Sequence, residues 1–284
     1  MELPYETVDV FTTTRFGGNP LAVVLDADAL SAAQMQSIAR EFNYSETTFV
    51  LRPEGEGTHR VRIFTPSFEM PFAGHPNVGT GFVLANRNAA AERFGFEEIA
   101  GLVPITVSRD GDAVREVGIV APQPLETGSS GTVDEVAALL GLDPERIVTE
   151  THAPCTASVG AAFTIIELAS REALGDVKVE DRAALARLGG MDAVYCYTRD
   201  RGTDEADISA RMIFDAGGLT EDPATGSATA ACAALLHGLT GETGLVFAQG
   251  VDMGRPSRIV TRVEDDGVHV SGTCVPVMRG TLTV

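Results

Sequence analysis

Two short stretches of this chain, 69–76 (EMPFAGHP) and 221–228 (EDPATGSA), carry Glu, Pro and Gly at matched positions. Glu221, Pro223 and Gly226 each follow Glu69, Pro71 and Gly74 by 152 positions, close to half of the 284 residues. Each stretch comes after an Arg-containing segment that ends in Phe (Phe64, Phe214) and before an apolar helical pattern. Self-similarity at one fixed offset is the signature of a duplicated unit, and it predicts two similar α+β halves. The boundary is expected near 121–131, where PQPLETGSSG reads as a linker.

The flanking patterns repeat as well. In the first half, 7–11 alternates as a strand and enters the turn RFGGNP, and 21–25 answers it as a second strand. Ser31 is an N-cap for a helix over 32–42, with Met35, Ile38, Ala39 and Phe42 on one face. Strands follow over 47–51 and 60–65; Pro76 then opens a helix over about 77–86. In the second half, a helix over about 180–188 leads to strand 193–198. Strand 208–214, a loop and a small-residue helix over about 228–236 complete it. Asp265, Asp266 and Gly267 read as a hairpin turn.

Each duplicated loop delivers a glycine and then a helix start. The first turn of a helix leaves backbone N–H groups unpaired, and the helix dipole adds to their pull on an anion. Two such starts can hold a small carboxylate without any basic side chain. That matters in a chain with a net charge of −19, whose one lysine is Lys178. The halves differ where chemistry would need them to: Met70 answers to Asp222, and His75 to Ser227. A duplicated frame that diversified in this way offers an asymmetric acid/base set. Asp222 as a plain loop residue, Ser227 as an ordinary helix-start residue and His75 as a solvated histidine stand beside that reading with equal weight. Glu46, in NYSETTFV, sits beside a buried strand, where partial desolvation would raise its pKa towards useful values. The alternative is a surface glutamate at a strand start. Asp192 lies near the corresponding point of the second half, with no clear equivalent of Glu46.

The strong acidity argues against nucleic acid and anionic membranes as partners, since both are bound through clustered Lys and Arg. No basic and apolar leader opens the sequence, and no apolar run approaches the 18 or so residues of a membrane span. A soluble cytoplasmic protein is expected. Cys155, Cys196, Cys232 and Cys274 have neither zinc nor disulfide-framework spacing, and the five histidines show no ligand spacing. The loop GLTEDPATGS lacks the lysine of a Walker A motif. No dinucleotide, metalloprotease or nucleophile-elbow pattern appears. No cofactor and no metal are expected.

The chain resembles the PhzF family, the phenazine-biosynthesis isomerases and their relatives. The resemblance is carried by VDVFT from Val8, GNPLAVV from Gly18, NYSETTFV from Asn43 and RIFTP from Arg62. EMPFAGHP, ARMIF from Ala210, EDPATGSA and the closing VPVMRGTL from Val275 extend it from end to end. It implies the diaminopimelate-epimerase-like fold: two pseudo-symmetric α+β domains, each a curved mixed or antiparallel sheet wrapped around a central helix, with the active site in the cleft between them. The expected halves are 1–122, to which a C-terminal strand near 273–284 returns, and 123–272. A homodimer is also implied.

By the same resemblance, Glu46 is the proton-shuttling carboxylate and His75, Asp222 and Ser227 are the other catalytic residues. Gly74, Gly226 and Thr225 would bind substrate. The implied activity is a cofactor-independent isomerisation that moves a proton on a small, cyclic carboxylate, as in trans-2,3-dihydro-3-hydroxyanthranilate isomerase. The epimerase cousins place one cysteine at each duplicated loop. Here no cysteine falls in either, which disfavours a two-thiol racemase. An amino-acid epimerase using Glu46 with Asp222 or His75, and a ligand-binding or regulatory protein that lost the chemistry, are the alternatives.

Overall fold

The first strands of the chain are buried for most of their length, as strands covered on both faces are. β1 (Glu2–Val10) lies antiparallel to β2 (Asn19–Val24). The loop between them turns on Gly18, at φ +58°, where a Cβ would come within 2.2 Å of the Val10 carbonyl oxygen. Helix α1 (Ala32–Phe42) starts on a reciprocal pair of hydrogen bonds between Ser31 and Gln34 and buries Met35, Ile38 and Ala39, the face the spacing predicts. β3 (Glu46–Leu51) runs parallel to β2, β4 (His59–Phe64) antiparallel to β3, and the short β5 (Glu69–Met70) folds back on β4. Helix α2 (Gly74–Arg87) follows. β6 (Arg93–Glu98) returns parallel to β4, and β7 (Gly101–Asp110) and β8 (Ala113–Val120) extend the sheet as antiparallel neighbours. The C-terminal strand (Cys274–Thr283) comes back to pair with β1.

This sheet wraps α2, which packs on β1, β2, β3, β7, β8 and the C-terminal strand and buries 12 of its 14 residues. A helix enclosed on so many sides must be apolar and small-sided all round rather than amphipathic. The helix starts at Gly74, three residues before the expected 77, because the glycine ahead of Pro76 already has helical geometry.

The computed structural model describes residues 1–201, 205–215 and 217–284. They divide into two units, Met1–Val120 with Ser271–Val284, and Ala121–Val270. In the second unit β9 (Glu126–Ser129) occupies the stretch expected to be a linker and pairs with β10 (Cys155–Ser158). That Gly/Ser composition is therefore an edge strand. Helix α3 (Val133–Leu140) lies between them. β11 (Ala162–Glu167) is antiparallel to β10. Two short helices, α4 (Arg171–Gly175) and α5 (Arg182–Arg187), lead to β12 (Ala193–Thr198), parallel to β11. α5 is shorter than the expected 180–188 because the Asp181 side chain caps it at Ala184.

β13 (Ile208–Asp215) is antiparallel to β12, and β14 (Leu219–Asp222) folds back on β13. Helix α6 (Gly226–Thr240) follows, two residues earlier and four longer at its end than expected. β15 (Gly244–Gln249) is parallel to β13, and β16 (Ser257–Glu264) is antiparallel to β15. β17 (Gly267–Gly272) comes after the Asp265–Asp266 turn. The strand senses from β9 to β16 repeat those from the C-terminal strand through β1 to β7, and α6 packs on β10, β11, β15 and β16 as α2 does on its own sheet. Among the described residues no helix is long and apolar enough to cross a membrane.

Candidate active site

The glutamate shared by the two duplicated loops turns out to be a clamp. Arg62 on β4 donates from Nε and Nη2 to the two oxygens of Glu69, both at 2.6 Å, and Arg211 on β13 does the same to Glu221 at 2.9 and 2.7 Å. Arg211 also donates to the carbonyls of Leu174 and Val177. A bidentate guanidinium–carboxylate pair fixes direction as well as distance. Each pair therefore anchors its loop to a strand and sets where the following helix begins.

Those two helix starts are set apart from the rest. α1, α3, α4 and α5 are capped by the side chains of Ser31, Thr132, Ser170 and Asp181, whereas Ala73 and Thr225 give α2 and α6 no side-chain cap. No side chain caps their first-turn N–H groups, an arrangement suited to an anion. Gly74 and Gly226 are the first residues of these helices, and both are buried.

In the first unit, the α2 start carries His75, which is 4% exposed. Its Nδ1 lies 3.3 Å from Asn19 Nδ2, and its Nε2 lies 3.4 Å from Oε2 of Glu46, the first residue of β3. Burial pulls the imidazole pKa down to about 3, although a backbone hydrogen bond at Pro20 pulls the other way. His75 is therefore neutral at working pH and faces the Glu46 carboxylate as a neutral ring rather than as a cation. The unfolded chain takes up a proton at this site near pH 6.5, long before the folded chain does, so stability falls as pH drops from about 6.5 towards 3. At pH 5 this loss amounts to about 2 kcal/mol. His75→Asn should remove it, flattening the denaturation midpoint between pH 7 and pH 5; an unchanged acid dependence would place the titration elsewhere.

In the second unit, Asp222 ends β14 and is buried, and Thr225 Oγ1 donates to its Oδ2. Gln249, fully buried at the end of β15, ties this loop together. It donates from Nε2 to the Asp222 carbonyl (2.8 Å) and to Thr225 Oγ1 (3.0 Å), and accepts from Thr225 N–H (3.1 Å). Ser257 Oγ lies 3.0 Å from the Pro223 carbonyl. Ser227 is half-buried on the first turn of α6.

The structure thus brings Glu46 and His75 together, and Asp222 with Thr225 beside Gly226 and Ser227. Strand register also shows what stands at Glu46's position in the second unit. Phe49 is opposite Arg62, and Cys196 is opposite Arg211. Counting back three residues from each gives Glu46 and Ala193. Asp192, the nearby acid in the sequence, is one residue off that register. Sequence reading missed Asn19 and Gln249. Asn19 stood in view in the Gly/Asn/Pro turn, but Gln249 lies outside every motif, and register alone exposes it.

Known proteins match this chain along nearly its whole length. The profile of the phenazine biosynthesis-like protein family, PhzC-PhzF, matches residues 8–280. An uncharacterised isomerase of Mesorhizobium japonicum is 40% identical, over 99% of this chain and 98% of its own. Trans-2,3-dihydro-3-hydroxyanthranilate isomerase of Pseudomonas chlororaphis is 36% identical, over 99% of both. A PhzF-family protein of Bacillus anthracis superposes with a TM-score of 0.89 over 100% of both chains at 22% identity. These homologues support isomerisation as the class of chemistry. The chain belongs to the phenazine biosynthesis-like PhzF family and has its diaminopimelate-epimerase-like fold.

Proposed function

We propose that this protein is an isomerase that moves a proton on a small cyclic carboxylate, with its own side chains supplying acid and base. The observation that carries the proposal is the contact of Glu46 with a neutral, buried His75 at an uncapped helix start. In this reading the first-turn N–H groups at Gly74 hold the substrate carboxylate, as helix starts hold anions generally, and Gly226 with Thr225 are the corresponding substrate-binding candidates of the second unit. Glu46 takes the proton from carbon and returns it at another carbon, with the neutral His75 ring beside it. Asp222 and Ser227 are the remaining acid/base candidates, carried by the second unit. The relatives of 36% identity make trans-2,3-dihydro-3-hydroxyanthranilate the first substrate to try.

The test is proton NMR in D2O with that compound and a panel of cyclic and amino carboxylates. Deuterium at the carbon that receives the proton, with a shifted double bond, is the expected result. A product changed only in configuration would assign an epimerase instead. Ligands that bind without any exchange would assign a binding protein.

A further inference from the structure

Gln249 has a counterpart in the first unit, and it is an acid. β13 and β15 pair Ile208 with Phe247, and β4 and β6 pair His59 with Phe96. Ile208 and His59 each lie three residues before the clamping arginine, so the two pairs are equivalent. Two residues beyond each phenylalanine come Gln249 and Glu98, the last residues of their strands. Both carboxyl oxygens of Glu98 are buried and have no hydrogen-bond partner among the described residues. The same holds for Oδ1 of Asn77, a fully buried residue in the opening turns of α2, whose amide faces the Glu98 carboxyl. Asn77 Nδ2 donates to the carbonyl of Ala73 at 3.1 Å, the residue from which α2 starts. A buried carboxylate whose oxygens lack strong donors is costly, because it loses its water without full replacement. A proton on Glu98 removes that buried charge.

We infer that Glu98 is a positioning residue kept as the neutral acid against the Asn77 side chain, thereby holding the start of α2 as Gln249 holds the start of α6. Among the described residues no charged neighbour acts on the Glu98 carboxyl. Glu97, the neighbour on β6, gives its carboxylate to the N–H groups of Glu54, Gly55 and Gly57. Glu69, on the loop whose Pro71 accepts from Ala100 N–H, is closed on Arg62, and His75 is neutral. His59 on β4 lies against Phe94 and Phe96 and is held towards its neutral form by burial. Burial pushes the Glu98 carboxyl up to about 8, and the Asn77 amide offsets only part of that.

The inference rests on the proposed carboxylate-binding role of the α2 start for one of its two readouts, and the other is independent of it. For stability, the folded acid keeps its proton to about pH 8 while the unfolded one loses it near 4.5, so the contribution present below 4.5 is lost as pH rises towards 8. The melting temperature of Glu98→Gln relative to the parent should climb by about 5 °C between pH 5 and pH 8. For binding, calorimetry with a bound carboxylate should show the parent's Kd rising by about tenfold from pH 7 to pH 9 as Glu98 ionises. Glu98→Gln, which keeps a donor towards Asn77, should change by less than about twofold, and Glu98→Ala should bind weakly at every pH.

Identical pH dependence of melting for the parent and Glu98→Gln would overturn the inference. So would a rise in Kd at high pH that Glu98→Gln shares. If no carboxylate binds the parent at all, the proposed function fails, and the melting comparison still decides the state of Glu98.

Discussion

Glu46→Gln is expected to reduce turnover and solvent-deuterium exchange by about a thousandfold or more, because one positioned acid/base group contributes roughly 10²–10⁴. The Kd of a carboxylate ligand should stay within about threefold, since the helix-start N–H groups that hold it are backbone. The substitution keeps size and a hydrogen-bonding tip beside His75 Nε2, so it removes proton acceptance and little else. No neighbour can take over. His75 is held neutral by burial, with a pKa of about 3, too weak a base to replace a carboxylate. The matching position of the second unit is Ala193, and the Asp222 carboxylate accepts from Thr225. His75→Asn should fall between the two, lowering turnover while leaving exchange measurable. Exchange undiminished in Glu46→Gln would remove that residue from the chemistry and, with it, the basis for placing the base on β3.

What made this site readable beforehand was the loops, and what stayed hidden was the strands. The loops kept a constant offset of 152, so Glu69 and Glu221 and the paired glycines stood out in the bare sequence. Around them the offset drifts. Phe49 and Cys196 are 147 apart, Arg62 and Arg211 are 149 apart, and Phe96 and Phe247 are 151 apart. A strand sequence repeats every two residues and leaves few fixed landmarks, so a slip of one or two positions cannot be seen without the hydrogen-bond register. That is why Asp192 looked like the neighbour of Glu46's counterpart and why Gln249 and Glu98 were not linked at all. The role of the shared glutamates was also hidden, since a loop carboxylate reads as a candidate acid until Arg62 and Arg211 are seen to close on them. The α2 start was misplaced by three residues for a local reason. Proline marks the first turn of a helix but does not fix which of its positions it takes.

The central helix carries the other large effect. A Cβ on Gly79 would lie 2.5 Å from Leu21 Cδ2, 2.8 Å from Val10 Cγ2 and 3.2 Å from Val8 Cγ2, and one on Gly81 would lie 2.8 Å from Ile105 Cγ2 and 2.9 Å from Val117 Cγ1. The α2 backbone is therefore in direct contact with two walls of its sheet. Leu21 and Val10 are fully buried, so neither has solvent to move into. Replacing an exposed helical glycine usually gains up to about 1 kcal/mol of propensity, and least for a β-branched residue. Overpacking a close-packed core costs about 1–3 kcal/mol or more, so the steric clash outweighs the gain in propensity. Gly79→Val should destabilise by about 3 kcal/mol and lower the melting temperature by about 5 °C.

The second unit supplies the control. At the same offset of 152, α6 carries Ala231, fully buried, so its helix stands far enough from its sheet to admit a methyl group. Ala231→Gly should therefore cost only about 1 kcal/mol, from lost propensity and a small void. Because Gly79 lies one turn beyond His75, a displaced α2 also moves the imidazole away from Glu46, and kcat should fall with stability in Gly79→Val but not in Ala231→Gly. Were Gly79→Val to melt within about 1 °C of the parent, less than the shift expected from even 1 kcal/mol, α2 would not be seated as closely on β1 and β2 as these distances require.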